Sequence, residues 1–249
     1  MIDAFSLKNK TILITGASSG IGRAMAIACS EAGASVIISA RNADRLHETE
    51  LQMIGDQHIS IIADLSTLEG IDLLVSKINK IDGFISNAGV VEPLLLQFIE
   101  TTDIEKTINI NGISTIQLTR KLVQEKKLNK GSSIVFTSSI NGNKCAYIGS
   151  TIYAASKGML NGFMKASALE LASKQIRVNC IEPGMVDTNL LNNSSSISNE
   201  DLEVDKSKYP LKRYGKPEEI AWAAVYLLSN ASAWITGTSL VIDGGYTLQ

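Results

Sequence analysis

The chain has 249 residues, 45% of them hydrophobic and 19% charged, which is typical of a folded globular protein. Its 23 Lys and Arg residues nearly balance 25 Asp and Glu residues, so the formal net charge of -2 excludes a basic field that would attract nucleic acid or an anionic membrane. Cys29, Cys145 and Cys180 lie far apart without a C-x-x-C pair, and no apolar run approaches the roughly 18 residues that a membrane span needs. We therefore expect a cytoplasmic protein without metal, membrane or nucleic-acid partners.

Short β-branched runs alternate with longer helical stretches along the chain, which predicts βαβ units around a parallel sheet. The runs ILIT, VIIS and SIVF are continuously apolar, as expected of strands buried on both faces. The predicted strands are Thr11–Ile14, Ser35–Ser39, Ile59–Ile62, Gly83–Ile85, Ser133–Thr137, Arg177–Ile181 and Ser239–Ile242. The predicted helices are Gly22–Ala32, Asn42–Met53, Leu68–Asn79, Thr102–Lys126, Ile152–Lys174 and Pro217–Leu228. The polar stretch Asn192–Asn199 and the charged stretch Glu200–Lys208 predict a mobile loop. This order predicts an α/β fold with one doubly wound, seven-stranded parallel sheet and helices on both faces.

A glycine-rich turn follows the first predicted strand and opens the first predicted helix. Its sequence is Thr15-Gly16-Ala17-Ser18-Ser19-Gly20-Ile21-Gly22. Small residues let the backbone approach a pyrophosphate, and the helix N-terminus offers unpaired N–H groups and partial positive charge. The strand, turn and helix together predict a dinucleotide site.

The end of the second predicted strand indicates which dinucleotide binds. NAD-dependent enzymes usually place Asp or Glu there, where a carboxylate accepts a hydrogen bond from the ribose. Here the strand ends Ser39-Ala40-Arg41, without an acid and with a guanidinium suited to bidentate phosphate binding. We therefore expect NADP(H), with NAD(H) as the alternative.

Tyr153 and Lys157 lie four residues apart in a predicted helix, so their side chains share one face. The pKa of a free tyrosine is about 10, and a nearby cation favours the phenolate. The pair predicts an acid–base site in which Lys157 lowers the pKa of Tyr153. A serine just beyond the strand Ser133–Thr137 is a second candidate, either Ser138 or Ser139. An asparagine in the helix Thr102–Lys126, either Asn109 or Asn111, is a third.

The chain resembles the short-chain dehydrogenase/reductase family over nearly its whole length. The resemblance rests on the glycine turn of the form T-G-x-x-x-G-x-G, the Y-x-x-x-K pair and the segment Ser86-Asn87-Ala88-Gly89, where members of the family commonly have N-N-A-G. Its 3-oxoacyl-acyl-carrier-protein reductases are the group that looks most similar. The resemblance implies one Rossmann-type catalytic domain over residues 1–249. It further implies hydride transfer between NADP(H) and a small-molecule carbonyl or secondary alcohol, a homotetramer and no metal.

The same resemblance selects residues and leaves alternative functions open. It implies a catalytic set of Asn111, Ser139, Tyr153 and Lys157, with Ser139 preferred over Ser138 because Gly142 follows three residues later. Besides Tyr153 and Lys157, the implied cofactor-binding residues are Gly16, Ser18, Ser19, Gly20, Ile21, Gly22, Arg41, Asp64, Leu65, Asn87, Ala88, Gly89, Pro183, Gly184, Val186 and Thr188. The segment Asn189–Pro210 is the expected substrate lid. The alternatives are an NAD-dependent sugar, polyol or hydroxysteroid dehydrogenase and a non-catalytic dinucleotide-binding regulator.

Overall fold

The computed structural model describes residues 3–188 and 199–248. Its strands are β1 (Thr11–Thr15), β2 (Ser35–Ala40), β3 (Ile59–Ile62), β4 (Ile81–Ser86), β5 (Leu128–Thr137), β6 (Arg177–Pro183) and β7 (Ser239–Ile242). They form one parallel sheet in the order β3-β2-β1-β4-β5-β6-β7. The predicted doubly wound, seven-stranded sheet is therefore confirmed. Its strand order reverses between β1 and β4, the position where ligands bind in folds of this kind.

Helices cover both faces of the sheet. They are α1 (Gly20–Glu31), α2 (Ala43–Glu50), α3 (Leu68–Ser76), α4 (Thr101–Ile108), α5 (Ser114–Gln124), α6 (Thr151–Leu171), α7 (Asn199–Ser207) and α8 (Pro217–Leu228). One core joins α1 and α8 to side chains such as Ile14 and Ile38, and the other joins α3, α5 and α6 to side chains such as Phe84 and Phe136. Alternate residues of each strand thus face opposite cores, and burial of each Ile or Phe contributes about 1.5–3 kcal/mol.

Three segments differ from the sequence prediction in type or by more than three residues at one end. The predicted helix Thr102–Lys126 is interrupted by a π-helical turn at Asn109–Ile113, which separates α4 from α5. Strand β5 begins at Leu128, five residues earlier than predicted, because Asn129–Gly131 carry no apolar side chain and separate Leu128 from the buried part of the strand. The charged stretch Glu200–Lys208, predicted as part of a loop, lies mainly in α7, where Glu203 pairs with Lys206 at 2.7 Å. The rest of the predicted loop, residues 192–198, lies outside the described residues.

Candidate active site

The carboxyl ends of β1, β4, β5 and β6 meet at one edge of the sheet, because parallel strands all end on the same side. The glycine turn follows β1, the Asn87 segment follows β4, the two candidate serines follow β5 and the Pro183–Gly184 turn ends β6. The first turn of α6 lies above this edge and carries Tyr153. The fold thus gathers most of the sequence-predicted residues in one region.

The two candidate serines point to different neighbours. The Ser138 hydroxyl donates to the Lys157 carbonyl at 3.0 Å and is buried against α6. The Ser139 hydroxyl accepts from the backbone N–H of Asn141 at 3.2 Å and hydrogen-bonds the side chain of Tyr153. Strand alternation explains the difference, since Ser138 continues the face of Phe136, which packs on the α6 side of the sheet. Ser139 is therefore the serine that shares a site with the tyrosine.

Burial controls the charge state of the Tyr153 and Lys157 pair. It raises the pKa of Tyr153 to about 12, with the hydrogen bond from Ser139 acting in the opposite direction. It lowers the pKa of Lys157 to about 8. Lys157 Nζ lies 5.8 Å from the centre of the Tyr153 ring and donates to the Thr137 carbonyl at 2.7 Å. The pKa of Tyr153 therefore lies above its usual value in this structure, because desolvation of the phenol dominates.

The π-helical turn positions Asn111 at the same site. Its Oδ1 accepts from the Val90 N–H at 2.7 Å, and its Nδ2 donates to the Val90 carbonyl at 2.9 Å and to Ser156 Oγ at 3.0 Å. A Cβ atom on Gly89 would lie 3.2 Å from Asn111 Oδ1 and 3.5 Å from Lys157 Nζ, so the glycine lies between these two side chains. Asn109 instead donates to the Ser66 carbonyl at 2.8 Å, after β3. Asn111, and not Asn109, belongs to the Lys157 cluster.

The glycine turn is built for close approach of a ligand to the backbone. Gly16 and Gly20 have φ angles of 66° and 53°, a backbone conformation that residues other than glycine rarely adopt. A Cβ atom on Gly16 would lie 2.7 Å from Ala88 Cα, and one on Gly22 would lie 2.2 Å from the Gly16 carbonyl oxygen. Helix α1 begins at Gly20 and directs its first N–H groups and its partial positive charge to this turn. Ser18, Ser19 and Ile21 lie within it, and the whole arrangement fits the pyrophosphate of a dinucleotide.

The Asn87 and Thr188 segments flank the glycine turn. Asn87 donates its backbone N–H to Thr15 Oγ1 at 3.1 Å and its side-chain amide to the Gly16 carbonyl at 3.4 Å. Thr188 Cγ2 lies 3.4 Å from the Cβ position of Gly20. Residues from both β4 and the segment after β6 therefore contact the turn that follows β1.

The segment that leads to Thr188 is held by the end of the sheet. Gly184 donates to the Ile242 carbonyl at 3.0 Å, and Val186 is paired with Gly215. Pro183 is the last residue of β6 and is buried beside these contacts. Residues 183–188, which include four of the implied cofactor-binding residues, are thus anchored to β7 and to the residues before α8.

Arg41 follows β2 and Asp64 follows β3, at the same edge of the parallel sheet as the glycine turn. The Arg41 side chain is exposed and is close enough to act on Asp64 electrostatically. The pKa of Asp64 is lowered chiefly by hydrogen bonds from the backbone and hydroxyl of Ser66, at 3.0 and 2.7 Å, and less by the charge of Arg41. The carboxylate therefore has its own partner in Ser66, and Leu65 is half-buried beside it.

Several contacts at the site were not predictable from residue identity. The carbonyl of Thr137 holds Lys157 Nζ, and a backbone oxygen leaves no signal in a sequence. Ser156 was not predicted, although it lies within the Y-x-x-x-K motif and bonds Asn111.

The described residues contain no group of three or more His, Cys, Asp or Glu side chains placed to hold a metal ion. None of the helices in residues 3–188 and 199–248 has the length and apolarity needed to cross a membrane.

Comparisons with known proteins show which family the chain resembles. A family profile described as enoyl-(acyl carrier protein) reductase matches residues 16–247. The chain is 35% identical to the 3-oxoacyl-[acyl-carrier-protein] reductase FabG of Thermotoga maritima, over 97% of this chain and 99% of that protein. It is 33% identical to the 7alpha-hydroxysteroid dehydrogenase of Escherichia coli K12, over 98% of this chain and 96% of that protein. Among solved structures, a short-chain dehydrogenase/reductase from Serratia marcescens is similar with a TM-score of 0.88 and 29% identity, over 97% of this chain and 99% of that one.

Proposed function

Because the chain belongs to the short-chain dehydrogenase/reductase family, whose members use a nicotinamide dinucleotide to interconvert carbonyls and alcohols, we propose that it is an NADP(H)-dependent carbonyl reductase with Tyr153 as the proton donor. The observation that carries the proposal is the meeting of Ser139, Tyr153 and Lys157 at the sheet edge that also bears the glycine turn. The proposed enzyme is one catalytic domain over residues 1–249, with residues 189–210 as its substrate lid.

In the proposed mechanism the substrate oxygen binds between the hydroxyls of Ser139 and Tyr153, which already hydrogen-bond each other. A nicotinamide dinucleotide held at the glycine turn would supply or accept the hydride. With its pKa raised to about 12, Tyr153 is a neutral phenol at physiological pH and donates its proton to the oxygen during reduction. Ser139 holds the oxygen in line with that proton. Proton transfer of this kind contributes about 10²–10⁴-fold to the rate.

Lys157 and Asn111 restore the proton to Tyr153 in this mechanism. With a pKa lowered to about 8, Lys157 is cationic at neutral pH and able to release a proton. Asn111 Nδ2 has both of its donors engaged, but Oδ1 accepts only one bond from the described residues and keeps capacity for a second. We assign that capacity to a water that connects Lys157 with solvent.

The proposed preference for NADP(H) rests on Arg41. Arg41 is the first residue after β2, and it is exposed. The nearby carboxylate of Asp64 accepts hydrogen bonds from Ser66. We expect NADPH to bind at least tenfold more tightly than NADH, measured by nicotinamide fluorescence, and Arg41→Ala to remove most of the difference. Arg45→Ala, which removes another exposed charge four residues later, serves as the control and keeps the preference. Equal affinity of the wild type for both cofactors would overturn the preference and favour an NAD-dependent dehydrogenase.

The proposed substrate is a 3-oxoacyl thioester, on the strength of the reductase named among the relatives. A hydroxysteroid is the second candidate, because a named relative acts on one. The test is a panel of a 3-oxoacyl thioester, a ketosteroid and a keto sugar with NADPH, each with wild type and Tyr153→Phe. Turnover that Tyr153→Phe abolishes without loss of NADPH binding supports the reductase. Cofactor binding without turnover of any panel member favours a regulator.

The proposed assembly is a cytoplasmic homotetramer. In support, Trp234 is 100% exposed and Trp222 on α8 is 62% exposed in the single chain, and aromatic side chains of this size are typical of subunit interfaces. Light scattering of the wild type and of Trp234→Ser tests the assembly. A wild type that stays monomeric at micromolar concentration would rule the tetramer out.

A further inference from the structure

Two side chains behind the glycine turn have no role in the mechanism above. They are Arg23, in the first turns of α1, and Thr49, near the end of α2. Thr49 is fully buried, and the side chain of Arg23 is 24% exposed. Arg23 Nε donates to Thr49 Oγ1 at 3.0 Å, so the two form one connected unit.

This pair satisfies the carbonyl groups of the turn from within the protein. The Thr49 hydroxyl lies 2.9 Å from the Ala17 carbonyl, and Arg23 Nη2 donates to the Ser18 carbonyl at 2.8 Å. The preceding carbonyl, that of Gly16, accepts from Asn87. Three successive carbonyls therefore each face a side-chain donor. The Ala17 N–H itself donates to the Ser39 carbonyl at 3.3 Å. A peptide whose carbonyl is held inward presents the next N–H group outward, so the inward Ala17 and Ser18 carbonyls leave the N–H groups of Ser18 and Ser19 in the orientation that a bound phosphate requires.

The same pair links the turn to the loop that carries Arg41. Arg23 Nη2 also donates to the Arg45 carbonyl at 3.2 Å and pairs with Glu48 at 2.9 Å. Helix α2 begins immediately after Asn42, whose side chain caps it by accepting from the Arg45 N–H at 2.9 Å. Helix α2 therefore connects the glycine turn with the residues after β2, so that a shift of one affects the position of the other.

We propose that Thr49 and Arg23 are positioning residues for the cofactor, which hold the carbonyls of Ala17 and Ser18 inward so that the turn binds the pyrophosphate of a nicotinamide dinucleotide. Neither side chain needs to touch the cofactor. The inference rests on the proposed function for the identity of that ligand. It predicts that the two residues act on cofactor affinity and leave proton transfer at Tyr153 unchanged.

The test compares Thr49→Val, Thr49→Ser and Arg23→Met with the wild type. We expect Thr49→Val and Arg23→Met each to raise the Kd of NADPH about tenfold, equal to about 1.4 kcal/mol, with the same rise for ADP. The KM for NADPH should rise likewise, while kcat at saturating NADPH stays within about twofold. Thr49→Ser keeps the hydroxyl and should bind as the wild type does. The double variant should lose less than the sum of the single losses, because the two side chains share a hydrogen bond.

Thr119→Val is the matched control. It also deletes a buried threonine hydroxyl, which donates to the Thr115 carbonyl at 2.7 Å within α5, away from the turn. We expect it to lower the melting temperature without changing the Kd of NADPH. Wild-type Kd values in both Thr49→Val and Arg23→Met would overturn the positioning role alone. A wild type that binds neither NADPH nor NADH would overturn the proposed function and this inference together.

Discussion

Gly22 and Gly162 are two helical glycines whose replacement by alanine has opposite consequences. A Cβ atom on Gly22, in α1, would lie 2.2 Å from the Gly16 carbonyl oxygen and 2.6 Å from Asn87 Nδ2, where ordinary contact begins at 3.4 Å. A Cβ atom on Gly162, in α6, would meet nothing within 4 Å. Alanine is favoured over glycine within a helix by about 1 kcal/mol at either position.

The magnitude follows from these distances. Gly162→Ala should raise the free energy of unfolding by about 0.5–1 kcal/mol, since only the helix preference changes. Gly22→Ala gains the same preference but must displace the Gly16 carbonyl by about an ångström, and overpacking of this kind costs about 1–3 kcal/mol. The melting temperature of Gly22→Ala should therefore lie below that of Gly162→Ala, by about 2–4 °C for each kcal/mol.

Thermal unfolding gives the melting temperatures of both variants, and NADPH titration gives their Kd values. Light scattering checks that both variants have the same oligomeric state. Because Gly16 and Asn87 belong to the cofactor turn, Gly22→Ala should also raise the Kd of NADPH by at least about tenfold, while Gly162→Ala should leave it unchanged. If Gly22→Ala proves as stable as Gly162→Ala and binds NADPH as the wild type does, the close packing of the turn has no energetic weight and the reasoning is refuted.

Three further predictions concern the catalytic edge. Ser139→Ala should lower kcat by about 10²-fold or more, whereas Ser138→Ala, which loses only a bond to a helix carbonyl, should retain most activity; equal losses in steady-state assays would contradict the assignment. Burial lowers the pKa of Lys157 to about 8 in the folded protein. Above that pH the unfolded chain binds more protons than the folded chain, so the free energy of unfolding should rise by up to about 1.4 kcal/mol per pH unit between about pH 8 and 10. Denaturation of Lys157→Met at each pH should lack this rise, and an identical slope would count against the shift. Glu182 is fully buried, and neither of its carboxylate oxygens has a hydrogen-bond partner among the described residues. Glu182→Met should therefore stabilise the protein by about 1–3 kcal/mol, with Glu31→Met at an exposed site as the control. A melting temperature of Glu182→Met below that of the wild type would contradict this and indicate that the carboxylate has a stabilising partner.

The sheet was predictable because strands buried on both faces leave continuous apolar runs. All seven strands were located, and the helix pattern between them fixed the fold class. The start of β5 was missed because the polar Asn129 and Lys130 and the exposed Gly131 interrupt the apolar pattern after Leu128. Helix α7 was missed because charged residues such as Glu203 and Lys206 suit both a solvated loop and an exposed helix.

The candidate site was predictable in composition but not in detail. Sequence order cannot tell which of Ser138 and Ser139 faces the tyrosine, because adjacent residues leave a strand on opposite sides and the face depends on register. The pKa of Tyr153 was beyond reach for a different reason. It depends on how much solvent the folded chain removes from the phenol, and the spacing to Lys157 carries no information on burial.

The π-helical turn at Asn109–Ile113 amounts to one inserted residue in a helix that would otherwise run from Thr101 to Gln124. Each residue of an α-helix advances the chain by about 100° around the axis. Removing one residue from the turn would let the two helices merge with regular hydrogen bonding, but it would rotate one flank against the other and carry Asn111 away from Val90 and Ser156. The segment therefore tolerates substitution far better than a change of length. A one-residue deletion here would give a more regular helix and a site without its amide.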